Sequence, residues 1–409
     1  MSKLNELINK LCPEGVEFKP LGEVCDFRRG QTITERDSVP GDYPVIAGGQ
    51  KPAYYHNTFN RSGETIAVAG SGAYAGFVSW WTTPIFLSDA FSVHTKDKLL
   101  LPKFVYYFMI NIQQRIYSTK KGSGVPHVHG SSIAKFLIPL PPLPVQEEIV
   151  RILDKFTAYS AELQAELQAR KEQYEYYRNL LLNFNHSATG AVTDDEQIDS
   201  VTSALPGTYK VKWKTMGEVF EMRNGYTPSK NNAAFWEGGT IPWFRMDDIR
   251  QSGRILSESL QHITPAAIKG KGLFEKNSFI LATTATIGEH ALLIADSLAN
   301  QRFTNLKICK SLSNKLLTKF IYYYMFIVDE FCKNNTNVSG FASVDMEKLK
   351  RMPFPIPPLS IQEKIVSILD RFESLVNDLS EGLPAEIEAE KERYEYFRNK
   401  LLSFKPLTV

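Results

Sequence analysis

The sequence predicts an α+β protein: two α/β domains separated by a pair of long antiparallel helices, related by an approximate internal two-fold. Three observations predict it. Two long motifs each occur twice and in the same order. Both motifs sit in apolar residues spaced three and four apart, the signature of long amphipathic helices. Between them lie segments of strand and core-helix character broken by Gly and Pro, as in mixed domains of ~150 residues.

The repeat is direct. IPLPPLPVQEEIVRILDKF (Ile138–Phe156) returns as FPIPPLSIQEKIVSILDRF (Phe354–Phe372), and RKEQYEYYRNLLLNF (Arg170–Phe184) returns as EKERYEYFRNKLLSF (Glu390–Phe404). The second copy gains four residues between the two motifs, about one helical turn. The globular parts repeat more faintly. Val16–Thr32 parallels Val211–Thr227, Lys103–Met109 parallels Lys319–Met325, and Ser123 and Gly124 parallel Ser339 and Gly340. The copies agree at the entry and exit of each globular part and diverge between, so a common scaffold carries two different middles.

The segments then follow in chain order: a first globular domain (1–144), a helix (145–184), a linker (185–209), a second globular domain (210–360) and a second helix (361–405). In the first domain Glu64–Gly70 reads as a buried strand and Pro102–Ile112 as a core helix; Ser278–Thr284 and Thr318–Val328 are their counterparts. After each Pro-rich stop a heptad-like stripe begins. In the first helix it comprises Ile149, Ile152, Phe156, Tyr159, Leu163, Leu167, Tyr174, Tyr177 and Leu181. In the second it comprises Ile365, Ile368, Phe372, Leu375, Leu379, Tyr394, Phe397 and Leu401. Gly382 and Pro384 are expected to break or kink the second helix, as a C-terminal cap and a first-turn proline. Helices of ~40 residues reach ~60 Å and need a partner. Only an antiparallel return buries both stripes, and it brings the C-terminus back beside the N-terminus. The linker is small, polar and acidic, and reads as a flexible connection.

The net charge of +2 conceals a division. Residues 1–144 hold 15 basic against 11 acidic side chains, and residues 205–360 hold 20 against 13. The helices and linker are acidic. A polyanion partner for the two globular segments is implied. No apolar run approaches the ~20 residues that span a bilayer. The N-terminus lacks the apolar core of a signal peptide, and four scattered cysteines without a Cys-x-x-Cys pair suit a reducing cytoplasm.

The sequence carries no Walker loop, no His-Glu-x-x-His and no Gly-x-Ser-x-Gly. Asn-Pro-Pro-aromatic and Pro-Asp…Glu/Asp-x-Lys patterns are missing too. Gly70–Ala75 fits a loose dinucleotide pattern, but the aromatic, strand-like run after it points to a tight turn instead. His127 and His129 suit a metal, a phosphate or base, or only solvent; no nearby Cys or carboxylate completes a metal site, and none is assigned.

The loops do suit nucleic acid. The first copy offers Arg28, Arg29, Gln31 and Thr32; Gln50 and Lys51; and Lys120, Lys121, Ser123, His127 and His129. The second offers Arg223, Thr227, Ser229 and Lys230; Arg245 and Asp247; Lys269 and Lys271; and Asn300, Gln301 and Arg302. Arg, Lys, Ser and Thr serve phosphates, while Arg, Gln, Asn and His read base edges. Two different readers on one spacer suit two unlike half-sites about a helical turn apart.

The duplicated P-P-L-x-x-Q-E-x-I-V-x-I-L-D-[KR]-F opening and Y-E-Y-[YF]-R-N closing resemble the conserved regions of type I restriction–modification specificity subunits. The tandem Ala161–Gln164 and Ala165–Gln168 units resemble a subgroup with a four-residue spacer repeat. The resemblance is end to end and implies two target recognition domains, with a central and a distal conserved region. It also implies a non-catalytic DNA-binding chain that joins two methyltransferase subunits and recruits restriction subunits. S-adenosylmethionine, ATP and Mg would then sit on those partners and no cofactor on this chain. Exposed helix charges and parts of Tyr174–Arg178 and Tyr394–Arg398 would contribute to assembly. The alternatives are a duplicated protein-interaction scaffold with incidental basic loops, and a self-sufficient methyltransferase or nuclease.

Deleting Ala165–Gln168 shortens the helix by ~6 Å, or one to two base pairs at ~3.4 Å each. The expected outcome, read by methylome sequencing, is a shorter gap between two unchanged half-sites. Altered half-sites would overturn the spacer reading.

Overall fold

A computed structural model describes residues 2–96, 98–122, 124–184, 209–337, 342–377 and 382–407. Ser123, Leu379, the Ser339–Gly340 repeat pair and residues 185–208 of the predicted linker lie outside them. The chain forms two compact units, Met1–Glu166 with Ala385–Val409, and Leu167–Pro384. The boundary falls inside the first long helix, so each unit contains one globular domain and a share of each helical segment.

In unit 1 a four-stranded antiparallel sheet runs in the order Cys25–Arg29, Ala90–Thr95, Thr65–Ala69, Val78–Trp81. A second sheet orders Tyr55–His56, Tyr43–Ile46 and Phe86–Leu87, the last pair parallel. Unit 2 repeats both. Its larger sheet orders Phe220–Asn224, Phe303–Ile308, Ser278–Ala282, His290–Leu293 and an added edge strand Ile255–Leu256. Its smaller one orders His262–Ile263, Ile241–Phe244 and Leu298–Ala299. The two middles that diverge in sequence therefore share one topology. The second adds an insertion, helix Met246–Ser252 and the edge strand after it.

The predicted strands and core helices are present as Thr65–Ala69, Ser278–Ala282, Pro102–Asn111 and Thr318–Asn334. Both strands are buried throughout, as their unbroken apolar runs require. Gly70–Ala75 is a turn: Gly72 has φ +82° and the Ala75 N–H donates to the Gly72 carbonyl at 3.0 Å. The strand Val78–Trp81 follows it.

The first long helix is continuous over Leu143–Leu182, 40 residues. The second segment is two helices, Leu359–Asn377 and Leu383–Leu401, with Pro384 in the first turn of the latter. In unit 1 Phe156 stacks on Phe397 at 5.5 Å and 27°. Tyr159 donates to Glu386 Oε1 at 2.7 Å, so the two helices run antiparallel there. In unit 2 Tyr177 stacks on Phe372 at 5.4 Å and 28°. Phe156 and Phe372 occupy the same place in the first motif, Phe397 and Tyr177 in the second. One contact is thus made twice, each time between opposite copies of the two motifs.

The predicted stripe does two jobs. Ile149 and Leu401 belong to the core of domain 1, with Ile152, Tyr394 and Phe397 packed on it. Tyr174, Leu181 and Ile365 belong to that of domain 2, with Leu167, Ile368 and Phe372 against it. Leu163 is buried, at 4% exposure. Tyr159 is 41% exposed and meets the paired helix through its hydroxyl; one assignment is corrected, since Leu375 is 38% exposed. Leu153, Leu369 and Val376 fill the buried positions instead, one residue off the stripe as read, because the apolar face drifts around a straight helix. The chain ends meet in unit 1, where Val16 N–H donates to the Lys405 carbonyl at 2.9 Å.

The repeated motifs owe their shared letters to docking. Gln146, 0% exposed, accepts from Leu101 N–H at 2.9 Å. Its amide donates to the carbonyls of Leu99 at 2.8 Å and Pro141 at 2.7 Å. Gln362 repeats this with Leu317 N–H, Lys315 and Pro357, each at 2.8 Å. Asp154 accepts from Tyr107 at 2.5 Å and pairs with Lys103 at 2.9 Å. Asp370 likewise accepts from Tyr323 and pairs with Lys319 at 3.1 Å. Nearby, the Arg151 guanidinium and Lys3 hold the Glu148 carboxyl down at about 2, fastening the N-terminal helix to the long one.

Truncating either glutamine strands one N–H donor and two carbonyl acceptors, the one on the Pro-rich stop fully buried. Gln146→Ala or Gln362→Ala is expected to cost about 2–4 kcal/mol, seen as a lowered thermal transition of the corresponding domain. A change below ~0.5 kcal/mol in both would show that the amide does not anchor the helix.

Candidate nucleic-acid interface

The strand that enters each domain ends in Arg-x-Gly. Gly30 N–H donates to the Ala90 carbonyl at 2.8 Å and Gln31 N–H to that of Leu87 at 2.9 Å. Gly225 and Tyr226 do the same with Phe303 and Ala299, each at 2.9 Å. A Cβ at Gly30 would enter the carbonyl oxygens of Leu87 and Ser88, and one at Gly225 those of Ala299 and Asn300. Only glycine lets the two backbones approach, so the loop beginning there is pinned against the loop between the short parallel strand and the last sheet strand.

A third loop joins them. Ser88 N–H donates to the Ile46 carbonyl at 2.9 Å, and Asn300 N–H to that of Phe244 at 3.1 Å. This ties in the segments after Tyr43–Ile46 and after Ile241–Phe244. Each domain therefore gathers three loops at one end: those starting at Gln31, Ala47 and Ser88 in the first, and at Tyr226, Arg245 and Asn300 in the second.

In domain 2 these loops enclose a cavity of about 400 Å³. Thr227, Lys230, Arg245, Asp247, Gln301 and Arg302, all singled out from sequence, line it with Asn300. Arg250, Trp243 and Thr286 were not anticipated. Arg250 follows Arg245 on the inserted helix, whose first turn is closed by Asp248 accepting from Arg245 N–H at 2.7 Å. Asp247 pairs with Arg245 at 3.7 Å, and Thr227 donates to Gln301 Oε1.

Other anticipated residues of this copy lie elsewhere. Arg223 is used inside the fold: its guanidinium donates to the carbonyls of Gly272, at 3.1 Å, and Leu273, and lies 4.7 Å over the Phe274 ring. Burial there lowers its pKa. Lys271 lines a separate cavity of about 130 Å³ with Arg223 and Glu275. Ser229 and Lys269 are exposed but outside the larger cavity.

In domain 1 a cavity of about 270 Å³ is lined by Arg29, Asp89, His127 and His129 among others. The two imidazoles are parallel, with ring centroids 6.4 Å apart. Among the described residues no cluster of three His, Cys, Asp or Glu is placed to hold a metal ion. Arg28 is exposed and pairs with Asp26 at 3.6 Å. Gln31, Thr32, Gln50 and Lys51 are exposed on their loops. Lys120 donates to the Ala73 carbonyl at 3.0 Å, while Lys121 exchanges backbone hydrogen bonds with His127. Asp89 was missed by sequence; its carboxylate accepts from Ser71. Arg61 was missed as well and bridges the carbonyls of Asn60, Arg28 and Arg29 from within, with its Nε on Ser92.

Comparison with known proteins gives concordant matches. A family model described as the type I restriction modification DNA specificity domain matches residues 13–173 and 210–389. The EcoprrI type I restriction enzyme specificity subunit of Escherichia coli is 49% identical over 203 residues, 48% of this chain and 51% of that protein. The EcoR124I/EcoR124II specificity subunit of the same organism is 31% identical over 448 aligned residues, covering 100% of both. Two solved chains share the fold. The S subunit of a type I restriction–modification system from M. genitalium has TM-score 0.53 at 17% identity, covering 95% of this chain and 96% of its own. A chain from a study of complex assembly and conformational transition of the type I R-M system has TM-score 0.59 at 19% identity, covering 96% and 98%. No helix among the described residues is long and apolar enough to cross a membrane.

Gly225→Ala is expected to destabilise the second domain by about 1–3 kcal/mol, because its methyl meets backbone that cannot swing aside. Gly217→Ala, whose Cβ meets only ordinary contacts from 3.4 Å outward, is expected to change little. Equal thermal shifts in the two variants would sink the pinned-loop account.

Proposed function

The chain belongs to the type I restriction modification DNA specificity family, and on that premise we propose that it reads an asymmetric bipartite DNA target, one half-site per domain. The carrying observation is one fold written twice with unlike side chains on the three loops that each copy gathers at one end. The same three backbone hydrogen bonds tether those loops in both copies, while the loops offer different side-chain groups. Basic excess in the two globular segments supplies the sequence-independent attraction to phosphates.

In this reading the chain is not itself catalytic. It holds two methyltransferase subunits, which bind S-adenosylmethionine, and recruits restriction subunits that use ATP and Mg. Exposed charges and aromatic rings on the helices, such as Tyr176 at 61% and Tyr396 at 60% exposure, supply material for those contacts. They occupy matching places in the repeat, which supports two like partners. The complex would work in the cytoplasm, where the chromosome is accessible.

The test is methylome sequencing of cells carrying this chain with its methyltransferase partner. A single methylated sequence of two unlike halves around a fixed gap is expected. Exchanging residues 16–138 for another member's domain is expected to change one half only. A change in both halves, or methylation without a bipartite site, would overturn the reading.

A further inference from the structure

The cavity of domain 2 is lopsided in its hydrogen-bonding chemistry. Arg245, Arg250 and Arg302 all line it, and its single carboxylate, Asp247, is engaged by Arg245 at 3.7 Å. Gln301 Oε1 is occupied by the Thr227 hydroxyl, which leaves its NH2 group to donate. Arg245 Nε is buried and has no partner. Donors therefore outnumber acceptors among the side-chain groups left over at this end, where Asp247 and the Thr286 hydroxyl are the acceptors.

Arg302 is the best placed of them. Its N–H donates to Asn300 Oδ1 at 3.0 Å, and its carbonyl accepts from Thr283 N–H at 2.9 Å. The backbone is fixed on both sides while the side chain stays exposed. The guanidinium therefore starts from a defined point and loses little order in the chain on meeting a ligand.

Major-groove edges differ in what such a site can satisfy. Guanine offers two acceptors, N7 and O6, and no donor. Adenine offers one acceptor and one donor, cytosine a donor, and thymine an acceptor beside a methyl group. A site dominated by donors leaves more of them unpaired against each of the last three than against guanine.

We propose that domain 2 reads a guanine in the major groove, with Arg302 as its base-contacting residue and Gln301 donating beside it. The proposal rests on the reading that this domain binds DNA. Domain 1 is built otherwise. Its corresponding loop, Ser88–Asp89, is one residue shorter than Asn300–Arg302 and brings a carboxylate to the cavity with Arg29 and His129. That mixed set does not select guanine.

The experiment uses the assembled methyltransferase complex and its methylome-defined target. Domain 2's half-site is identified by exchanging that domain. Each guanine of the half-site, on either strand, is replaced in turn by 7-deazaguanine, which lacks N7, and by inosine, which keeps N7 and O6. One 7-deazaguanine position is expected to weaken wild-type binding by about 5-fold to 150-fold. Inosine at that position is expected to leave it nearly unchanged. Arg302→Ala is expected to bind guanine and 7-deazaguanine alike at that position, and Arg302→Lys to recover part of the difference. The exposed side chain makes both variants tolerable to the fold, and the unaltered half-site in the same complex checks assembly. Indifference to 7-deazaguanine at every position, a half-site without guanine, or undiminished discrimination by Arg302→Ala would each overturn the proposal. Loss of all sequence-specific binding by the wild-type complex would overturn the underlying reading with it.

Discussion

The buried carboxamide at the start of each helical motif is the contact on which the rest depends. Leu101 and Leu317 precede the first turns of the core helices and offer no side-chain cap. Gln146 and Gln362 take over, accepting from those N–H groups while donating to carbonyls on the incoming loop and on the Pro-rich stop. Two segments that meet only in the folded state are fixed by one side chain. A buried amide so satisfied is specific in geometry as well as stabilising, since any shift strands several polar groups in a dry core. Asp154 and Asp370, two turns on, repeat the fastening through Tyr107 and Tyr323 of the core helices.

From that anchor the chain path to the loops is short and stiff. The core helix packs under the central strands, the strands carry Arg-x-Gly to the sheet end, and glycine lets the entering loop lie directly on its neighbour. Function on loops held by a rigid frame is a common division of labour, because loops tolerate exchange while the frame does not. Here the frame includes Arg61 and Arg223, whose guanidiniums knit carbonyls together beneath the loops rather than facing solvent.

That dual use of arginine explains much of what sequence could and could not convey. The duplication, the long helices and the break before Pro384 were legible because periodicity and proline act locally. The common topology of the two middles was not. Its strands are short, its loops differ in length, and domain 2 inserts a helix and an edge strand. Thr227, Lys230, Arg245, Asp247, Gln301 and Arg302 were found because polar clusters recur at matching places in the repeat. Arg223 was read with them and belongs to the frame; nothing in one sequence distinguishes an arginine lying on Phe274 from one facing outward. Asp89 went unnoticed because an acidic residue does not fit the expectation of a basic surface. Leu375 lies one position off the buried face because a stripe on a straight helix drifts, leaving Val376 to fill the buried place.

The relation between the copies has a chemical consequence. A frame duplicated without change, with identical loops, would present the same face twice and favour symmetric ligands. The corresponding loops here differ by one residue in length and reverse in sign, Asp89 against Arg302. A carboxylate accepts and a guanidinium donates, so the two loops favour different base edges. Divergence at these few positions is enough to remove the symmetry of what is bound. The helix contact made within each unit, Phe156 with Phe397 and Tyr177 with Phe372, is the same in both copies of the frame. The two requirements, sameness in the frame and difference at the loops, are met by separate sets of residues, which is why one can change without disturbing the other.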